Sequence, residues 1–221
     1  MRTMMMKRLE TGFADAEAAL RRMQKTANLR SIEASFLTMA NRHQPGERRW
    51  YALVVQNGHE KDVAERLDKA DIHSWIPMRK RKMVRCRGRK KPSVDAPVIT
   101  GFVFVHVVPG AACFAGLRGV KDVIWIVGAG EQPMPIRLKE MEAFKDLAAG
   151  GAFDYGRVPI DAKAFKIGVT VAIKDGPFGS FKGRIEALGA GSNKDAALVL
   201  IDVLGRACPS WLPLALIKRL D

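Results

Sequence analysis

Cysteine is scarce in this chain. The three among 221 residues, Cys86, Cys113 and Cys208, are odd in number and far apart. They form neither a disulfide framework nor a Cys-x-x-Cys metal site, and they suit the cytoplasm. Histidine is as thin: His43, His59, His73 and His106 show no His-Glu-x-x-His spacing, so no zinc hydrolase site is encoded. The chain has no Gly-x-Ser-x-Gly elbow and no phosphate loop ending in Gly-Lys-Ser or Gly-Lys-Thr. Gly128-Ala129-Gly130 lacks the third glycine and the immediate helix of a dinucleotide site. With no constellation for catalysis, metal or cofactor, the chain reads as a binder and not an enzyme. Long apolar runs are missing too. The longest, Pro97 to Pro109, is broken by Thr100, Gly101 and His106 and is too short to span a bilayer. No secretory segment follows Lys7 and Arg8. Acidic residues are the minority: 23 against 37 Lys and Arg, for a net charge of +14 and a pI near 10. That excess favours a polyanionic partner, nucleic acid ahead of a membrane surface.

What is present centres on Val169 to Glu186. Val169, Val171 and Ile173 alternate with Thr170, Ala172 and Lys174, the period-two pattern of a strand with one buried face. Asp175-Gly176-Pro177 ends it and carries Phe178 on a tight loop, where the ring is either core or contact. A second strand is expected from Phe181 to Leu188, with Gly183 marking a bulge or a close backbone approach. Upstream of this hairpin, Gly150, Gly151, Gly156 and Pro159 suit a mobile joint.

Upstream, residues 1–48 form an extension in which Phe13, Ala16, Leu20, Met23 and Ala27 repeat at helical spacing. It is either a partner-binding appendage or helix packed on the domain or frayed in solvent. Residues 49–149 read as one compact domain, opened by the strand Arg49 to Val55. A helix over 61–70 buries Val63, Ala64 and Leu67. Extended structure over 72–77, a central strand over 98–107 that is apolar on both faces, a helix over 111–117 and a strand over 123–127 follow. A last helix over 138–149 places Met141, Phe144 and Leu147 on one face.

The hairpin around Phe178 resembles the KOW motif, which opens an SH3-like barrel in NusG-type transcription factors and some ribosomal proteins. The continuation Gly205-Arg206-Ala207-Cys208-Pro209 resembles the next turn of that barrel. Trp50-Tyr51, Glu60, Gly101 to Val105, Arg118-Gly119-Val120, Trp125 to Gly128 and Pro133 to Ile136 fall in the order of the NusG amino-terminal domain. The resemblance implies an α+β chain: an α/β sandwich with an antiparallel sheet over 49–149, then a flexible linker over 150–164, then the barrel over 165–221. It implies a monomeric transcription elongation factor acting in termination or antitermination. Residues matching Trp50, Tyr51, Ile99, Phe102 and Trp125 would seat the clamp helices of RNA polymerase, although all of them can equally be core. The family's Phe-Pro-Gly-Tyr stands here as Ile99-Thr100-Gly101-Phe102, and Ser210-Trp211 replaces its Val-Glu. Phe178, Ile201, Leu204 and Arg206 match the edge that takes the termination factor Rho or a small-subunit ribosomal protein. The first departure keeps the apolar area of the pocket and alters its detail, the second bears on which partner the barrel takes, and the extra charge with the extension points to a specialised paralogue.

The densest charge, Arg79, Lys80, Arg81, Lys82, Arg85, Arg87, Arg89, Lys90 and Lys91, would neutralise phosphates of DNA or RNA with little base readout. It lacks aromatics for stacking, and otherwise reads as a solvated hairpin. An RNA-binding, ribosome-associated KOW protein is the competing reading. It fits less well because this tract lies in the first domain and not in the barrel.

Overall fold

The computed structural model describes residues 45–80, 95–129, 132–154, 165–179, 181–190 and 194–220, and the backbone of 85–86 and 89–90. The first unit runs β1 (Arg49–Val55), α1 (Glu60–Lys69), β2 (His73–Trp75), β3 (Met78–Lys80), β4 (Arg85–Cys86), β5 (Arg89–Lys90), β6 (Asp95–Pro97), β7 (Phe102–Val107), α2 (Ala111–Gly119), β8 (Val123–Ile126), β9 (Gly128–Ala129), β10 (Gln132–Pro133) and α3 (Leu138–Ala149). Its main sheet has the order β2-β7-β1-β8 with every pair antiparallel.

Both central strands are covered on both faces, as their largely apolar side chains require. On β1, Trp50, Ala52 and Val54 enter one apolar cluster while Tyr51, Leu53 and Val55 enter the other; on β7, Phe102 and Phe104 part from Val103, Val105 and Val107 in the same way. Helix α1 closes the second face with Val63 and Leu67. Its first turn carries Glu60 and Asp62 and its last turn Arg66 and Lys69, each charge opposed to the helix-dipole end it sits on. Helix α3 closes the first face with Met141 and Phe144.

The expected strand over 98–107 begins only at Phe102. Gly101 takes φ +79 and gives its N–H to the buried Glu60 carboxylate at 2.7 Å, so the chain turns there. Added side-chain bulk at Gly101 would also meet Asn57 Oδ1 at 2.5 Å.

The second unit is an antiparallel five-stranded sheet in the order β14-β13-β12-β11-β15, from β11 (Thr170–Ile173), β12 (Lys182–Leu188), β13 (Ala196–Val203), β14 (Arg206–Pro213) and β15 (Ile217–Arg219). A short 3-10 turn, Leu214–Leu216, precedes β15. Of the stretch expected as a linker, Gly150 to Asp154 follow α3, with Phe153 packed on Phe144 at 5.6 Å; 155–164 lie outside the described residues, as does the extension up to residue 44.

Gly183 is a close approach and not a bulge; the register slips later, between Ile185 and Ala187. A Cβ on Gly183 would stand 2.6 Å from Val199 Cγ1 and 2.8 Å from the Leu200 carbonyl oxygen on β13. Gly183→Ala is expected to destabilise the barrel by about 1–3 kcal/mol through overpacking, read as a lower urea midpoint with an unchanged slope.

A candidate partner-binding face and the barrel that covers it

The apolar sheet face of the first unit is where the second unit sits. Gly176, at φ +89, lets the loop after β11 pass so close to α3 that a Cβ there would meet the Phe144 ring at 2.7 Å. Two residues on, Phe178 turns inward, 2% exposed, with its ring centroid 4.6 Å from Phe102 and 5.8 Å from Phe104. Tilted aromatic contacts at these distances add to the free energy of burial. One apolar cluster consequently runs from Trp50 and Phe104 through Phe178 to Ile201 and Leu212.

Polar contacts fix the register of this seam. The Trp211 N–H donates to Thr100 Oγ1 at 2.8 Å, and the Thr100 N–H donates to the Trp211 carbonyl at 3.4 Å. Asn57 Nδ2 donates to the Pro209 carbonyl at 3.2 Å. At the other end Arg79 on β3 donates to the Asp195 carboxylate at 2.6 Å, with Arg79 only 5% exposed. The Arg206 guanidinium lies 4.7 Å over the Trp125 ring, a cation–π geometry.

The predicted site residues divide accordingly. Ile99 and Phe102 are fully buried, Trp125 is half-buried beneath Arg206, and Trp50 is buried at the far end of the same face. Tyr51 is on the opposite face against Phe114, ring centroids 5.0 Å apart; the structure does not bring it to the Phe102 surface. On the barrel, Phe178 is in the seam and Ile201 is inside the core, whereas Leu204 and Arg206 are exposed at the turn joining β13 and β14. That two-residue turn has Leu204 at φ +54 and Gly205 at φ +83, closed by the Gly205 N–H donating to Asp202 Oδ1 at 2.7 Å. Left-handed backbone at a non-glycine residue is uncommon.

Of the basic tract, Arg79 is committed to the ion pair with Asp195 and Lys80 is exposed. Arg85, Arg89 and Lys90 lie on the paired strands β4 and β5; Arg81, Lys82, Arg87 and Lys91 are outside the described residues. Sequence reasoning missed Asn57, Asp195 and the pairing role of Thr100. Only Thr100 left a signal, because it supplies an N–H and a hydroxyl where the family motif has proline. Among the described residues no group of three His, Cys, Asp or Glu could hold a metal ion, and no helix is long and apolar enough to cross a membrane. Burial pushes the Cys113 thiol up to about 11 and raises that of Cys208, so neither is a reactive thiolate at neutral pH.

A family description, transcription termination factor nusG, matches residues 48–145. Those residues are a NusG-family domain. Relatives extend the likeness past it. The transcription termination/antitermination protein NusG of Yersinia pestis is 26% identical over 181 residues, covering 78% of this chain and 97% of that protein. The protein of the same name from Escherichia coli K12 gives the same figures. A solved structure described as domain interaction in Thermotoga maritima NusG shares 24% identity over 79% of this chain and 98% of that one, at a TM-score of 0.40.

The seam makes a direct prediction. Thr100→Pro removes both partners of Trp211, worth about 1–3 kcal/mol together, so amide exchange over 208–212 should accelerate tenfold or more, while Thr100→Ser leaves it unchanged. Phe178→Ala should loosen the seam further, by about 3–5 kcal/mol.

Proposed function

We propose that this chain is a cytoplasmic, non-catalytic transcription elongation factor that binds the RNA polymerase clamp helices through the apolar face of its first domain. Ile99, Phe102 and Trp125 form the heart of that face, Trp50 its far end, and Tyr51 buttresses the sheet from behind. An apolar groove accepting a helical hairpin is a common recognition mode. Seated there, the domain would bridge the clamp and act on pausing, termination or antitermination, with the basic residues from Lys80 to Lys91 steadying nearby DNA or RNA by backbone contact. The barrel would recruit a second partner, Rho or a small-subunit ribosomal protein, through Leu204, Arg206 and, once the seam opens, Phe178, while Ile201, buried in the core, supports that edge from within. A tether raises the local concentration of whatever it holds.

The single observation that carries this reading is the seating of Phe178 on Phe102. Two surfaces expected to take separate partners cover each other here, which is economical if both are sticky and must be kept from indiscriminate contact. Clamp binding and barrel recruitment are then coupled: whatever pulls the barrel away exposes both faces at once. The departures Thr100 and Trp211 meet across the seam, which supports a specialised paralogue held closed by contacts of its own.

Capture of core RNA polymerase by the full chain tests this. Thr100→Pro should capture several-fold more polymerase than the unaltered chain, and adding Phe102→Ala should remove the gain at both low and high salt. Equal capture by all three, or capture that vanishes with modest salt, would sink the clamp reading. Capture of structured RNA without polymerase would point to the ribosome-associated alternative.

A further inference from the structure

A cleft of about 560 Å³ opens beside the start of β1, away from the barrel's contacts, lined by residues of the first unit alone. One wall is the segment before α3. It is clipped to the sheet by the Ile136 N–H donating to the Trp50 carbonyl at 2.8 Å and the Met134 N–H donating to that of Val127 at 2.9 Å. This holds apolar side chains outward: Leu138 is 58% exposed and Met134 38%, with Pro135 exposed between them. Arg48 and Arg49 face this strip from the start of β1 and Arg137 from the start of α3, all three exposed. Arg49 has Glu47 at 3.3 Å and Arg137 has Glu140 at 3.5 Å, both solvent-facing pairs that bind weakly and exchange readily. Arg48 has no ion pair among the described residues.

Trp50 forms the floor, and its ring is already engaged. His106 stacks on it at 4.8 Å, His73 meets it edge-on at 5.5 Å, and Lys145 Nζ stands 4.0 Å over it. No ring face is left for a nucleic-acid base. His106 is held below its ordinary range first by burial and then by His73; a hydrogen bond at the Arg48 backbone opposes this, and the charges of Arg48 and Lys145 add to it. Lys145 is itself lowered by burial, against a smaller opposing effect of Glu142.

We propose that this cleft binds an acidic polypeptide segment bearing a large apolar side chain, whose carboxylates meet Arg48, Arg49 and Arg137 while its apolar group rests on Pro135 and Leu138. Charge complementarity selects an anion, and guanidinium forks pair carboxylates bidentately. The exposed Pro135 and Leu138 on its wall select a polypeptide over a phosphate backbone, which would leave them in water. The site does not rest on the polymerase reading: apart from its floor, Trp50, none of its lining residues belongs to the face assigned to the clamp.

The test is selection of a display library of random twelve-residue peptides on the full chain, followed by anisotropy of the enriched peptides, labelled, on the unaltered chain and on Arg48→Glu/Arg137→Glu. Both arginines are exposed, so far-ultraviolet circular dichroism and the thermal midpoint should not move. Enriched peptides should combine Asp or Glu with a Leu, Phe or Trp. Their affinity should fall tenfold or more in the double variant and severalfold in Leu138→Ser. Enrichment without acidic bias, no enrichment, or equal binding by the double variant, as a contact with the Lys80 to Lys91 tract would give, overturns the proposal. So does a labelled twenty-nucleotide DNA that loses binding in the double variant while no acidic peptide does, which would assign the cleft to phosphate.

Discussion

One aromatic ring lies at the centre of the seam between the two halves of this molecule. The Phe178 ring, carried out on a barrel loop, lies against Phe102 and Phe104 of the sheet, and around it two apolar cores become one. A barrel of about fifty residues has little core of its own and is marginal as an independent fold, so the surface it covers on the sheet is a substantial addition. Burying a phenylalanine contributes about 1.5–3 kcal/mol, a large share of what a small domain needs. Reaching the site requires Gly176 in left-handed backbone, close under Phe144. The polar contacts around the ring add specificity more than strength. Arg79 is almost fully buried with Asp195, and such a pair gains little net energy but tolerates few alternative placements of the barrel.

Competition follows from that geometry. Any external partner of the sheet face must displace an internal one that is covalently tethered, so its affinity is reduced by the fraction of molecules that are open. The chain can vary that fraction without touching the face itself, because Thr100 and Trp211 adjust the seam through backbone hydrogen bonds at its margin. The atoms that fasten the margin of the seam are therefore not those of the apolar face.

Much of the fold was legible because it is local. The last helix was placed at the boundaries it has, Leu138–Ala149, since Met141 and Phe144 recur at helical spacing and charged residues fill the other faces. The two-sided apolar run of β7 announced a central strand. The seam was not legible, because its partners are distant in sequence: Thr100 meets Trp211 111 residues away and Arg79 meets Asp195 116 away. Read within a charge run, Arg79 resembled its neighbours; only the fold shows that it is withdrawn from solvent. Tyr51 could have been read better, since adjacent residues on a strand point to opposite faces and Trp50 and Tyr51 cannot share one surface.

The same rule of alternation gives β1 two environments along one face. Val54 and Phe102 lie toward the seam, where the cleft against Ala207 to Ser210 is shared by both units; Trp50 lies at the other end, flooring a cleft built by the first unit alone. Moving the barrel alters the first environment and leaves the second intact, because Trp50 is held by His106, His73 and Lys145, all of the first unit. The basic cleft is therefore available whether the seam is open or shut, whereas the apolar face is available only when it is open. A partner engaged first at the permanent site would be tethered within reach of the conditional one, so that the short-lived open state could be captured at high effective concentration.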